Sequence, residues 1–118
     1  MFAEVINLKK NDLYMRIKSS NIYNNFFYKS ILHNLLVMEI FCNNSTDGIA
    51  FETLCSNIPK LLGSRTTIQK LLNEGVEKNL FKKVLSKKDK RIKNYYLSNE
   101  FFKILVDWVK VQKNIFNS

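Results

Sequence analysis

Arg65, Thr66, Thr67, Gln69 and Lys70 crowd into one short stretch, and Lys87, Lys88, Lys90 and Arg91 gather around Asp89 a little further on. The first group carries hydroxyl, amide and cationic groups that can hydrogen-bond base edges and phosphates. The second is self-repelling unless something anionic meets it. Neither group suits turnover. Gly48, Gly63 and Gly75 form no phosphate-binding loop, and the single His33 has no plausible nucleophile beside it. Cys42 and Cys55 lie 13 positions apart with no metal-ligand spacing, so neither a catalytic residue nor a metal or other cofactor is expected. The chemistry on offer is recognition.

Positioning the first group requires a helix. Ser64 is a good N-cap residue, and Ile68, Leu71, Leu72 and Val76 then recur at helical spacing as one apolar stripe. At about 100° per residue the opposite face carries Thr66, Lys70, Asn73 and Glu77, with Thr67 and Gln69 on its flanks. We expect a helix over about 64–79, with Ser64, Arg65, Thr66, Thr67, Gln69 and Lys70 as its reading residues. Gly75 falls on the apolar side, where close helix packing is expected.

Positioning the second group requires a hairpin. Phe81 to Ser86 and Ile92 to Ser98 are rich in β-branched and aromatic residues and flank the polar turn Lys87–Arg91. A helix followed at once by a basic-tipped hairpin is the arrangement of a winged helix-turn-helix. The segment LGSRTTIQKLLNEGVEKNLFKKVLSKKDKRIKNYYLS resembles the recognition helix and wing of MarR-type regulators. The matching residues are Asp89 and Arg91, as Asp-x-Arg in the wing, and Leu97-Ser98 at the end of the second strand. With flanking helices the resemblance spans roughly 31–117, and its distinctive part is 64–98. Asn79 departs from the pattern by replacing a glycine, but asparagine tolerates the left-handed backbone of a helix C-cap. The resemblance implies that Asp89 orients Arg91 or another arginine, rather than touching DNA itself. It implies dimerisation through N- and C-terminal helices and a small-molecule effector, for which the sequence identifies no pocket.

Charge agrees with an anionic partner. The 118 residues hold 19 basic and 10 acidic side chains, a net of +9. Between Lys60 and Lys93 there are 11 basic and 3 acidic residues, so +8 of that excess lies in the suspected reading head. Glu4 and Asn7 interrupt the only early apolar stretch, and no run approaches membrane-spanning length. A soluble cytoplasmic protein with no membrane partner is expected.

The remaining chain supplies the frame. Leu13, Tyr14 and Ile17 suit one side of a short helix after Asn11, and SSNIYNN reads as a loop. From Phe27 to Phe41 the residues Ile31, Leu32, Leu35, Leu36, Met38 and Phe41 make a broad apolar face, as in a core helix. His33 within it is expected as an ordinary surface or packed residue. NNSTDG is a turn, and Ile49-Ala50 is placed to pair with the hairpin. Phe51 to Ile58 gives a short helix ending at Pro59. Both cysteines sit among apolar neighbours and are expected as buried thiols.

A last helix should run from about Asn99 to Phe116, capped by Ser98 or Asn99. Its apolar positions span roughly half the helical circumference, wider than the ~100° stripe that covers one core. The extra width asks for a second partner, either the N-terminal segment of the same chain or the same helix of another chain. The MarR resemblance implies the second, with Phe101, Leu105, Trp108, Val109 and Phe116 at a dimer contact. The expected fold class is mainly α with a small β-hairpin (α+β), a winged helix-turn-helix with flanking dimerisation helices. It forms a single domain over 1–118, divided into an N-terminal segment (1–25), a DNA-binding core (27–98) and a C-terminal helix (99–117). The expected function is a sequence-specific, double-stranded-DNA-binding regulator acting as a homodimer. The alternative is an interaction module whose basic face takes an acidic protein or RNA.

Overall fold

The computed structural model describes residues 22–117 of the chain. Its elements run α1 (Ile22–Phe27), α2 (Ile31–Cys42), β1 (Ile49–Ala50), α3 (Phe51–Asn57), α4 (Arg65–Glu77), β2 (Phe81–Leu85), β3 (Lys93–Leu97) and α5 (Asn99–Asn117). The strands form one antiparallel sheet in the order β1-β3-β2, with Ile49 opposite Tyr95 and Phe81 opposite Leu97. Helices pack on the sheet through Leu36, Val37, Ile40, Leu54, Ile68, Leu72 and Leu97, all essentially inaccessible. This is the expected helix, turn, helix and hairpin.

Each end of α4 is fixed locally. The Ser64 hydroxyl accepts the Thr67 backbone N–H at 3.2 Å, which satisfies one of the unpaired donors of the first turn. At the other end Asn79 takes a left-handed backbone, φ 60°. The Leu80 N–H reaches the Gly75 carbonyl at 2.7 Å and the Asn79 N–H the Val76 carbonyl at 3.1 Å, closing a Schellman cap. The cap turns the chain so that Phe81 lies against the helix it has just left. A Cβ at Gly75 would overlap the Phe81 ring, so the glycine accommodates this aromatic from the sheet and not a neighbouring helix.

Phe81 cannot easily give way. It is 2% exposed, edge-on to Phe26 at 5.4 Å and stacked with Phe101 at 6.5 Å. Gly75→Ala is therefore expected to destabilise the fold, although alanine is the better helix former by about 1 kcal/mol. Overpacking of this kind costs about 1–3 kcal/mol or more. Urea titration should show a lower midpoint at unchanged slope; a raised midpoint would contradict the packing argument.

Three expectations need correction. The continuous helix from Phe27 is two helices, because Ser30 takes an extended backbone and its hydroxyl accepts the His33 N–H at 3.1 Å, starting α2 afresh. Part of the stretch read as a loop is helical in α1, where burial of Phe26 and Phe27 holds six residues whose composition alone favours a turn. Cys42 is exposed at the end of α2, while Cys55 is half-buried and burial pushes its thiol up; both are free. The suggested helix around Leu13–Ile17 lies outside the described residues.

The α5 assignment also changes. Its first turn is capped by Ser98, whose hydroxyl accepts the Phe101 N–H at 3.3 Å. Phe101 and Leu105, expected at a dimer contact, are only 1% and 2% exposed and belong to the chain's own core. Phe101 stacks on Phe81 of β2, and Leu105, one turn on, joins the same buried cluster. Trp108 is half-buried with its ring edge on Phe27 at 5.7 Å, whereas Val109 and Val111 face outward. The Phe116 side chain lies outside the described residues.

His33 is packed, as expected of an ordinary core histidine. Its Nδ1 lies 2.6 Å from the Ser30 hydroxyl and its ring meets Phe26 edge-on, while Nε2 is buried without a partner among the described residues. Burial chiefly, with Lys29 and Lys78 nearby, holds its pKa below the ordinary value, against a smaller opposing pull from Glu74. A base with a lowered folded pKa leaves the unfolded chain binding more protons. Stability should thus fall as pH drops below about 6.5, until the folded value is passed. Thermal unfolding between pH 7.5 and 5.5, above the titration of the carboxylates, should show this fall, and His33→Asn should flatten it. A wild-type midpoint that stays constant over that range would contradict it.

Candidate nucleic-acid interface

Helix α4 turns Arg65, Thr66, Thr67, Lys70 and Asn73 to solvent, with Gln69 half-buried on the side nearest the sheet. The apolar stripe of Ile68, Leu71 and Leu72 is buried, so this outer face is fixed in orientation by the core beneath it. The start of α3 and the wing form the walls of an open groove, which α4 enters through Gln69. Phe51, Gln69, Lys83, Arg91, Lys93 and Tyr95 line it.

The expected reading residues differ in their freedom. Ser64 and Thr67 hold one another, with their hydroxyls 3.0 Å apart, so part of their hydrogen-bonding capacity serves the cap. Arg65 grips Glu52 of α3 with both terminal nitrogens, at 2.7 Å and 2.5 Å, and its guanidinium lies 5.1 Å from the centre of the Phe51 ring. That hydrogen bond holds the Glu52 carboxyl below the usual range and raises Arg65 further. Gln69 donates to Asn73 Oδ1 at 3.0 Å and, over a longer 3.4 Å, to the Tyr95 hydroxyl. Thr66 and Lys70 complete the exposed face. The sequence reading missed Glu52, Phe51 and Tyr95, and no local pattern points to them.

The wing is ordered by its acid. Asp89 Oδ1 accepts the Arg91 backbone N–H at 3.0 Å and its Nε at 3.1 Å, while Oδ2 accepts Nη2 at 3.2 Å. The Arg91 side chain, then its backbone, holds the Asp89 carboxyl below the ordinary value. Ser86 Oγ accepts the N–H groups of Lys88 and Asp89, and the Ile92 N–H returns to the Asp89 carbonyl at 3.0 Å. The turn is thus closed by its own side chains and leaves Lys87, Lys90 and Arg91 exposed at the tip. Lys88 lies 3.6 Å from Asp47, in a pair exposed enough to be worth little. Lys83 sits over the Tyr95 ring at 6.0 Å. Asp89 thus fixes both the backbone and the side chain of Arg91 at the turn.

A polar-faced helix seated on a helix pair, with a basic hairpin beside it and a third strand from the preceding loop, defines a winged helix-turn-helix protein. The comparison with solved structures narrows this to the winged-helix fold of the MarR family. Staphylococcus aureus MepR bound to ethidium bromide matches with a TM-score of 0.65 at 17% identity, over 98% of this chain and 72% of that one. The MepR–DNA complex from the same organism matches at 0.58 and 14% identity, covering 97% and 83%. The transcriptional regulator BldR from Sulfolobus solfataricus matches at 0.51 and 18% identity, covering 99% and 82%. No known family's sequence profile matches the chain, and no curated protein does. Among the described residues no helix is long and apolar enough to cross a membrane, and no group of side chains is arranged to hold a metal ion.

Proposed function

We propose that the chain is a sequence-specific, double-stranded-DNA-binding transcriptional regulator that acts in the cytoplasm as a homodimer. The observation that carries this reading is the pairing of two surfaces on one side of the fold. A polar helix face, with Thr66 and Lys70 exposed and Gln69 half-buried at its edge, lies opposite the buried stripe, and a cationic wing ordered by Asp89 stands beside it. In such an arrangement α4 enters the major groove while Lys87, Lys88, Lys90 and Arg91 follow phosphates or the adjacent minor groove. The DNA-bound state of MepR, whose fold this chain shares over most of its length, supports the same use.

Helix α5 supports the homodimer. Val109 and Val111, on the two flanks of the helix, are 39% and 44% exposed on the single chain, with half-buried Trp108 between them. A two-fold pair would set its reading helices about one DNA turn apart. Selection from a random duplex pool with the purified protein tests this directly. The expected product is an inverted repeat with half-site centres roughly 10 base pairs, or a multiple, apart; a pool that never enriches would contradict it. Ethidium, which MepR binds, is the first effector probe to try against the complex.

A further inference from the structure

We infer that Gln69 meets DNA as a fixed hydrogen-bond acceptor, positioned by Tyr95 and Asn73, and so selects a base carrying an exocyclic amine. The inference rests on the DNA-binding reading and sharpens it to one side chain. A primary amide has two N–H donors and one carbonyl oxygen. Nε2 of Gln69, which carries both donors, makes two contacts within the protein, with Asn73 Oδ1 at 3.0 Å and with the Tyr95 hydroxyl at 3.4 Å. Its Oε1 is what remains for the groove.

The two anchors are unequal and complementary. Tyr95 is 2% exposed and lies on the central strand, paired with Ile49 on one side and Lys83 on the other. Its hydroxyl therefore cannot follow a moving glutamine. Asn73 is exposed one turn along the same helix, four residues from Gln69. Held from the sheet and from its own helix, the amide is oriented before DNA arrives. Preorganisation of this kind reduces the ordering cost of binding.

The consequence for base choice follows from the donor and acceptor pattern of the major groove. A free glutamine pairs bidentately with adenine, accepting from N6 and donating to N7. With its donors already engaged, Gln69 cannot make the second bond. It can accept from adenine N6 or from cytosine N4, which are the major-groove amines of the two pairs. At the position it reads, adenine and cytosine should be accepted about equally and guanine and thymine rejected. Tyr95 and Asn73 are positioning residues in this scheme, and neither need touch the DNA.

The test uses four duplexes that differ at the base pair where Gln69→Ala flattens the preference. Wild-type protein should bind the adenine and cytosine versions about five- to tenfold more tightly than the guanine and thymine versions, as expected for one good polar base contact. Tyr95→Phe and Asn73→Ala each release an N–H. Both should move the pattern towards adenine alone, weakening cytosine about fivefold relative to adenine, with the salt slope and thermal midpoint kept near wild type. Asn73 is exposed, so its variant reads the effect without disturbing the core. A wild-type preference for guanine or thymine at that position would overturn the inference, because it requires the amide to present its N–H groups. An unchanged pattern in both variants would overturn it too, as would the lack of any Gln69-sensitive position in a protein that binds duplexes. Absence of salt-dependent duplex binding by wild type would instead overturn the DNA-binding reading and this inference together.

Discussion

Replacing Lys87, Lys88, Lys90 and Arg91 together with alanine is expected to weaken duplex binding about a thousandfold near 0.15 M salt. Each phosphate contact contributes about 0.9 to the slope of log affinity against log salt, so four contacts contribute about 3.6. Counterion release has little effect near 1 M. Carrying a slope change of that size down to 0.15 M gives roughly three orders of magnitude. Selected and scrambled duplexes should lose affinity together, since phosphates carry no sequence information. The fold should survive: the Arg91 side chain is 90% exposed and that of Lys88 87%. A loss confined to the selected duplex would mean that the wing reads bases. Unchanged affinity on both would remove the wing from the interface.

Phe101→Ala and Val109→Asp should fail in opposite ways. Phe101 is 1% exposed, stacked with Phe81 and tilted against Tyr23 at 5.4 Å. Removing such a ring costs about 3–5 kcal/mol, a large share of the ~5–15 kcal/mol that holds a domain of this size. The variant should lose cooperative unfolding or melt far below wild type. Val109 is 39% exposed on α5, so its carboxylate replacement should leave helical content intact and shift sedimentation from dimer to monomer at micromolar concentration. Its midpoint should also lose the concentration dependence that a dimer shows. Wild-type protein that sediments as a monomer at high concentration would contradict the dimer, whatever the variants do. A folded, stable Phe101→Ala would contradict the placement of that ring in the core.

The reading helix and the wing were legible because local rules and tertiary structure agree there. The 3.6-residue period of Ile68, Leu71 and Leu72 sets the buried side, Ser64 starts the helix and Asn79 ends it, and each does so by a bond to nearby backbone. Asp89 and Arg91 are two residues apart, so their contact is a local matter as well. Other features depend on what approaches from far along the chain. Gln69 meets Tyr95 across 26 positions and Arg65 meets Glu52 across 13, and neither spacing signals a contact. The break at Ser30 was hidden by hydrophobic residues on both sides of it, which look continuous until the serine is seen to cap. On α5 periodicity measures the width of the apolar face but does not say which residues meet which. Phe101 and Leu105 are buried in the chain's own core, and Val109 and Val111 are exposed.

The central claim is that this basic face reads duplex DNA, and fluorescence anisotropy across a salt series tests it most directly. Three labelled probes of equal length suffice: the selected duplex, a scrambled duplex and a single-stranded RNA. The account predicts tightest binding to the selected duplex, a linear fall of log affinity with log salt on both duplexes, and a gap between them that persists as salt rises. Single-stranded RNA should bind more weakly than either. RNA binding as tight as the selected duplex, or duplex binding that is absent at low salt, would contradict it and assign the wing and α4 to RNA or an acidic protein partner.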